Sequence, residues 1–292
     1  MDIICHKDVK LTLADSEMAE YSGVDLYSNY RATLGTENVT NQSPRKVLVN
    51  KENALKALKD LIDAEDNADI KTRDDDFLLR FLHARKMNVA DSYQLLCNYF
   101  LYRKRNKDLF DNMTTDDPLI KQALYDGFPG VLTQKDRKGR CVLVFFCNNW
   151  DQVNYPLEVI YRSLLLSLEL LIADVQNQLN GFVIIVDWTD MSLRQVTSLT
   201  PKTLRLMVEG LQDCFPARFK GIHFINQPWY IDPIIGILKA FLKEKTKKKI
   251  YVHGNNMSTL HDHVSIDILP AELGGEGPSY SPTPWAHTII QS

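Results

Sequence analysis

No stretch of the 292-residue chain approaches the run of about 18–20 apolar residues that crosses a bilayer, so no membrane span is expected. The start, MDIICHKDVKLTLAD, lacks the positive charge and continuous apolar core of a secretory signal. Cysteine is sparse: Cys5, Cys97, Cys141, Cys147 and Cys214 are odd in number, scattered, and free of CxxC spacing. That excludes a disulfide framework or a zinc ribbon and suits reduced thiols in the cytosol. There the sequons at Asn38 and Asn41 carry no weight. A GxSxG elbow is missing, which removes the usual α/β-hydrolase nucleophile. So is GxxxxGK[ST], which removes a nucleotide-binding P-loop. The glycines of Leu273–Gly277 are followed by Pro278, not by a helix that could aim amides at a phosphate, and read as a turn. His253, His261 and His263 lie near Asp262 and Asp267, but HExxH or similar ligand spacing is absent, so no metal is expected. There is no internal repeat. Nor is there a global basic excess: the formal net charge is −3, which argues against nucleic acid.

What is present is a globular composition, 45% hydrophobic and 24% charged, enough for a sizeable core. Its charge is uneven. From Ala217 to Ile250 there are eight basic and two acidic residues, a local +6 against −9 elsewhere. Residues 1–44, with seven acidic and three basic residues and no sustained period, read as a flexible acidic tail.

Helical spacing then appears in Leu55, Leu58, Leu61 and Ile62. The acidic run Asp74–Asp76 suits a helix start, with Phe77, Leu78, Phe81 and Leu82 on one side. Asn88 can cap a third helix carrying Val89, Tyr93, Leu96, Tyr99 and Phe100. These make an N-terminal helical bundle over 45–112. Beyond it, short apolar runs at Cys141–Phe146, Phe182–Trp188, Gly221–Ile225 and Lys249–Val252 alternate with helical stretches near 155–178, 200–215 and 231–246. Such alternation predicts an α/β domain with a mostly parallel sheet. The segment 276–284 is a Pro/Ser-rich exit, leaving 281–292 as a tail.

Three features invite a functional reading. Residues 157–172, LEVIYRSLLLSLELLI, are apolar on nearly every face, so this helix is covered on both sides, by protein or by a ligand. Asp187 ends a strand, where a parallel sheet often places chemistry, but no acid, base or nucleophile accompanies it, and local hydrogen bonding is the plainer role. Lys243, Lys245, Lys247, Lys248 and Lys249 follow an apolar helix, with Arg218 and Lys220 before the third strand. They read as a solvated helix end or as a phosphate-headgroup site, each cation contributing about 1 kcal/mol at an anionic leaflet. No aromatic stacking platform for nucleic acid is interleaved.

Read together, DDDFLLRFLHARK (74–86), DGFPGVL (126–132), NGFVIIVDW (180–188), LQDCFPARFKGIHFINQPWY (211–230), FLKEKTKKKIYVHGNN (241–256) and ILPAELGG (268–275) resemble the CRAL-TRIO lipid-binding family. The likeness is to the branch of α-tocopherol transfer protein, cellular retinaldehyde-binding protein and the clavesins. EGLQD, FPARF, INQPWYI and KEKT look most like clavesins. The resemblance implies a helical N-terminal bundle and a CRAL-TRIO domain over 113–280, whose sheet floors a closed apolar pocket under a mobile gate helix. The implied pocket residues are Leu164, Leu168, Phe182, Val186, Met207, Leu211, Phe215, Phe219 and Ile222. Leu164 and Leu168 replace serines of the tocopherol protein, which implies a drier pocket. The implied gate, Ile231–Leu242, carries Ile234, Ile235, Ile237, Leu238, Phe241 and Leu242. The implied phosphoinositide-binding cations are Arg85, Arg218, Lys220, Lys245 and Lys249, with lysine and arginine exchanged at several positions; Arg85 can also pair with the helix-start aspartates.

On this resemblance the chain is expected to be no enzyme. It would hold a retinoid, tocopherol or similar isoprenoid as cargo, with no other cofactor, and act as an intracellular carrier. Its partners would be phosphoinositide membranes, bound peripherally from the cytoplasm, and endosomal coat proteins, without nucleic acid. The alternative is a clavesin-like endosomal trafficking adaptor that binds phosphoinositide without obligatory cargo.

Overall fold

A helix begins at the Asp74–Asp76 run for a local reason. The Asp74 carboxylate accepts a hydrogen bond from the Phe77 amide at 2.7 Å, satisfying one of the donors a helix start leaves unpaired. The computed structural model describes residues 44–64 and 73–292. The tail expected over 1–44 lies outside them except for Pro44, which opens α1 (Pro44–Ala64). Helices α2 (Asp75–Ala84) and α3 (Val89–Arg105) follow. Asn88 caps α3 by accepting from the Asp91 amide at 3.0 Å.

The chain divides into two compact units, Met1–Tyr93 and Gln94–Ser292. In the first, Ala54, Leu58 and Ile62 of α1 and Leu78, Phe81 and Leu82 of α2 are buried, each set at the spacing of one helix face. The division falls within α3, earlier than the bundle end expected at 112. The cause is tertiary. In the second half of α3, Tyr102 donates its hydroxyl to the Leu206 carbonyl (2.8 Å), and Tyr99 and Arg103 both donate to Glu169 (2.8 and 2.6 Å).

In the second unit, α4 (Lys107–Phe110) and α5 (Pro118–Tyr125) lead to β1 (Gly130–Val131) and β2 (Cys141–Phe146). Then come α6 (Leu157–Leu171), α7 (Val175–Asn180), β3 (Phe182–Asp187), α8 (Leu193–Thr197) and α9 (Pro201–Glu209), the last running into a π-helical turn at Gly210–Cys214. After β4 (Phe219–Ile225) come α10 (Asp232–Phe241), α11 (Glu244–Lys247), β5 (Ile250–Val252) and α12 (Met257–His261). The helix expected over 155–178 is two, because Asp174 caps a new start at α7 through the Gln176 amide (2.8 Å).

The five strands lie in the order β1-β2-β3-β4-β5, with β1 antiparallel to β2 and the rest parallel. Pleat alternation splits their side chains. Leu143, Ile184 and Val186 face α6, α9 and α10, while Val142, Val144, Val183 and Ile185 pack with Leu260, Val264, Leu269 and Leu273. Sequential parallel strands joined by crossovers of one hand stack their helices on one face, so the stretch after β5 is left to cover the other.

The segment 281–292, expected as a tail, is instead mostly helix, α13 (Thr283–Gln291). Ala286 and Ile289 are buried, and Trp285 Nε1 donates to Ser167 Oγ of α6 at 3.2 Å. The prolines at 282 and 284 mislead because proline is tolerated in a first helical turn.

Candidate functional site

The nine expected pocket residues come from five stretches and meet in one apolar cluster. Leu164 and Leu168 of α6, Phe182 and Phe215 are buried in it. Val186, Met207, Leu211, Phe219 and Ile222 pack against it half-buried. The Phe182 and Phe219 rings lie 6.1 Å apart. Their nearness depends on a bulge: Phe182 pairs with Phe219 but Val183 with Gly221, so Lys220 is extra in β4. That extra residue restores Ile222 to the face of Phe219, which simple alternation would deny it.

Of the gate residues, Ile235 is buried and Ile234 and Leu238 are half-buried in a cluster shared with Phe145, Val186, Met207 and Ile222. Ile237 is also half-buried and Leu242 buried. Val186 belongs to the middle strand, beneath helices, where close packing normally excludes solvent. Its residual exposure, like that of Phe145 and Ile222 in the same cluster, is apolar surface that the packing leaves uncovered. Phe241 does something else. It lines an open cleft of about 630 Å³ with Tyr102, Arg105, Arg205, Glu209, Asp213, Cys214 and Lys243. None of the nine pocket residues lines that cleft, and its charged wall is unsuited to a hydrocarbon. Burial, with the charges of Glu209 and Asp213, pushes the Cys214 thiol there up to about 12, which keeps it protonated and unreactive.

The end of α10 is fastened. Gln212 Oε1 accepts from the Lys243 amide at 2.9 Å, and Lys243 Nζ donates to Asp213 Oδ1 at 2.5 Å. Both partners sit on the π-helical turn, a geometry frequent at functional sites. The turn needs Gly210: a Cβ there would stand 1.8 Å from the Tyr161 hydroxyl. Sequence reasoning missed this fastening. Lys243, read in the sequence as one of a basic cluster, is instead paired with Asp213, and Gln212 and Asp213 carry no local signal of that pairing.

Three expected cations, Arg218, Lys220 and Lys249, gather at the edge of the sheet where β4 and β5 begin. Arg218 precedes β4 and donates to the Leu179 carbonyl (3.1 Å). Lys220, on the bulge, lies over Gly181, whose Cβ would stand 3.2 Å from its side chain. Lys249 precedes β5 and donates to the Phe219 carbonyl (2.7 Å). Lys245 is exposed on α11, four residues earlier. Burial lowers the Arg218 guanidinium, which still stays charged. Among the described residues, no ion pair joins Arg218 or Lys245 to a carboxylate. Arg85 is the C-cap of α2, in the first unit.

Asp187 binds locally: its Oδ1 accepts from the Thr189 amide and hydroxyl and from Asn226 Nδ2, at 3.0, 2.6 and 3.0 Å. On the other side of the sheet His253 stacks with His223 and Tyr251, and His263 lies tilted against them. No metal-holding group occurs among the described residues.

Residues 125–275 match the CRAL/TRIO domain, and residues 54–98 the CRAL/TRIO N-terminal domain. Clavesin-1 of Xenopus laevis is 49% identical over 236 residues, covering 81% of this chain and 71% of its own. Clavesin-2 of Homo sapiens is 48% identical over 236 residues, covering 81% and 72%. The crystal structure of Sfh5 superposes with a TM-score of 0.56 over 87% of this chain and 98% of its own, at 14% identity, a likeness of fold alone. The sheet, the helical N-terminal region and these relatives agree: the chain belongs to the lipid-binding CRAL-TRIO family, on its clavesin branch.

Proposed function

We propose that this protein holds a hydrophobic lipid of isoprenoid type between its sheet and α10, and docks on phosphoinositide membranes through Arg218, Lys220, Lys245 and Lys249. The observation that carries the reading is accessible apolar surface in the middle of a covered sheet, at Val186, Phe145 and Ile222. A lipid tail gains roughly 0.8 kcal/mol per buried methylene, so leaving a bilayer unaided is slow. A pocket of this kind replaces the bilayer as solvent and removes most of that barrier. The apolar side of α10 (Ile234, Ile237, Leu238) would meet the membrane when the helix lifts. Cations at the neighbouring edge would bind the headgroup and favour the lifted state by differential affinity. No bond is made or broken. Arg85 stays an expectation drawn from the resemblance.

Likeness to the clavesins favours a second reading, a phosphoinositide-binding endosomal trafficking adaptor without obligatory cargo. Mass spectrometry of lipids extracted from the purified protein separates the two: a stoichiometric hydrophobic lipid is expected of a carrier, and an empty pocket favours the adaptor. The double change Arg218→Ala, Lys245→Ala tests the docking claim. At about 1 kcal/mol per cation, flotation with phosphoinositide vesicles should weaken by roughly thirty-fold, and undiminished flotation would rule these cations out.

A further inference from the structure

The four tryptophans differ in what their indole N–H groups meet. Trp150 donates to the Tyr155 carbonyl at 3.1 Å, Trp285 donates to Ser167 Oγ at 3.2 Å, and Trp229 is 82% exposed to water. Trp188 alone is both buried, at 8% exposure, and without an acceptor for Nε1. A buried donor is ordinarily paired, and an exception calls for an explanation. Position supplies one. Trp188 follows β3 directly, two residues beyond Val186, so pleat alternation puts it on the Val186 face. There it packs with Phe224, whose ring centroid is 5.9 Å away, and with Ile231 and Ile235 at the start of α10. The same cluster includes the half-buried Val186, Phe145 and Ile222. Trp188 stands where β3 ends, whereas the cations stand where β4 and β5 begin. Six strand residues at about 3.3 Å each separate the two ends by roughly 20 Å.

We propose that Trp188 Nε1–H is the polar reader of the lipid pocket, donating a hydrogen bond to an oxygen at one end of the cargo. The pocket then selects a lipid ending in a carbonyl or hydroxyl over a plain hydrocarbon of the same shape. It also sets direction: the oxygen lies under the start of α10, and the hydrocarbon runs toward Phe219 and Phe215. An acceptor-free cargo leaves the buried donor as unpaired as it already is, so the discrimination is the hydrogen bond that a carbonyl or hydroxyl gains.

This inference rests on the carrier reading, and its test separates the two. The probes are all-trans-retinal, which ends in a carbonyl, and axerophthene, the same polyene ending in a methyl group. Both quench tryptophan fluorescence. The protein should prefer retinal by roughly three- to ten-fold, the worth of one hydrogen bond. Trp188→Phe keeps an aromatic ring and removes the donor, so it should abolish that preference, bringing the affinities for the two probes together. A companion measurement needs no substitution. With 15N-labelled tryptophan, the Trp188 indole resonance should move downfield on adding retinal and not on adding axerophthene. Binding of both probes with an unchanged preference in Trp188→Phe, or an indole signal indifferent to the carbonyl, overturns the role of Trp188 and leaves the pocket standing. Failure of the intact protein to bind either probe overturns both.

Discussion

His223 is held by a hydrogen-bond chain whose direction can be read. The Thr259 hydroxyl donates to the Asn256 carbonyl (2.8 Å), so its oxygen is left to accept from His253 Nδ1–H (2.7 Å). His253 Nε2 then accepts from His223 Nδ1–H at 2.9 Å. Both rings are neutral in this arrangement. Burial first, then the cost of adding a positive charge beside His253, His263 and Arg140, lowers His223 to about 3, and burial also lowers His253. The folded state therefore refuses a proton that the unfolded chain accepts near pH 6.5. The stability this contributes is complete above about pH 6.5 and falls as the pH drops toward 3. Urea unfolding midpoints should decline from pH 7 to pH 5. His223→Asn, which retains a donor toward His253 and does not titrate, should be less stable at pH 7 yet show a flatter decline. An equally steep profile in that variant would exclude His223 as the source.

At the scale of elements, α6 owes its nearly all-round apolarity to having three neighbours. Leu164 and Leu168 pack in the sheet-facing cluster, Tyr161 meets Tyr102 of α3, and Ser167 receives Trp285 of α13. Part of the cover that the sequence leaves open between protein and ligand is thus the last helix. Removing residues 283–292 should strip cover from α5 and α6, exposing surface now shielded by Ala286, Ile289 and Trp285. The lost burial, counted by area and cavity, amounts to about 2–5 kcal/mol. A denaturant titration should show an unfolding free energy lower by that amount, read as a lower midpoint. A free tail would show none.

At the scale of the whole molecule, opposite charges are segregated along the chain: a local +6 between Ala217 and Ile250 within a total of −3. On the proposed docking, such a distribution would be drawn to an anionic leaflet by one region and repelled by the rest. Screening acts on both, since the Debye length is about 10 Å at 0.1 M salt and about 3 Å at 1 M. Vesicle association through exposed Lys245 and half-exposed Arg218 and Lys220 should therefore fall steeply across that range, while cargo retention, governed by apolar burial, should hold or rise. Flotation and lipid retention measured in one salt series should diverge, and a parallel loss of both would contradict this separation of roles.

Periodicity alone determined the alternation of strands and helices, the mostly parallel sheet, the acidic start of α2 and the Asn88 cap, because these depend on residues within a turn or two of each other. Motifs in order determined the family. Tertiary structure alone decided where α3 changes allegiance, that α13 is a packed helix, that Lys220 is the extra residue of a bulge, and that Trp188 is buried without an acceptor. Each of these is a relation between residues tens to more than a hundred positions apart. Hydrogen bonds such as Tyr102 to Leu206 or Trp285 to Ser167 leave no local trace in composition or spacing; they exist only once the chain has closed on itself.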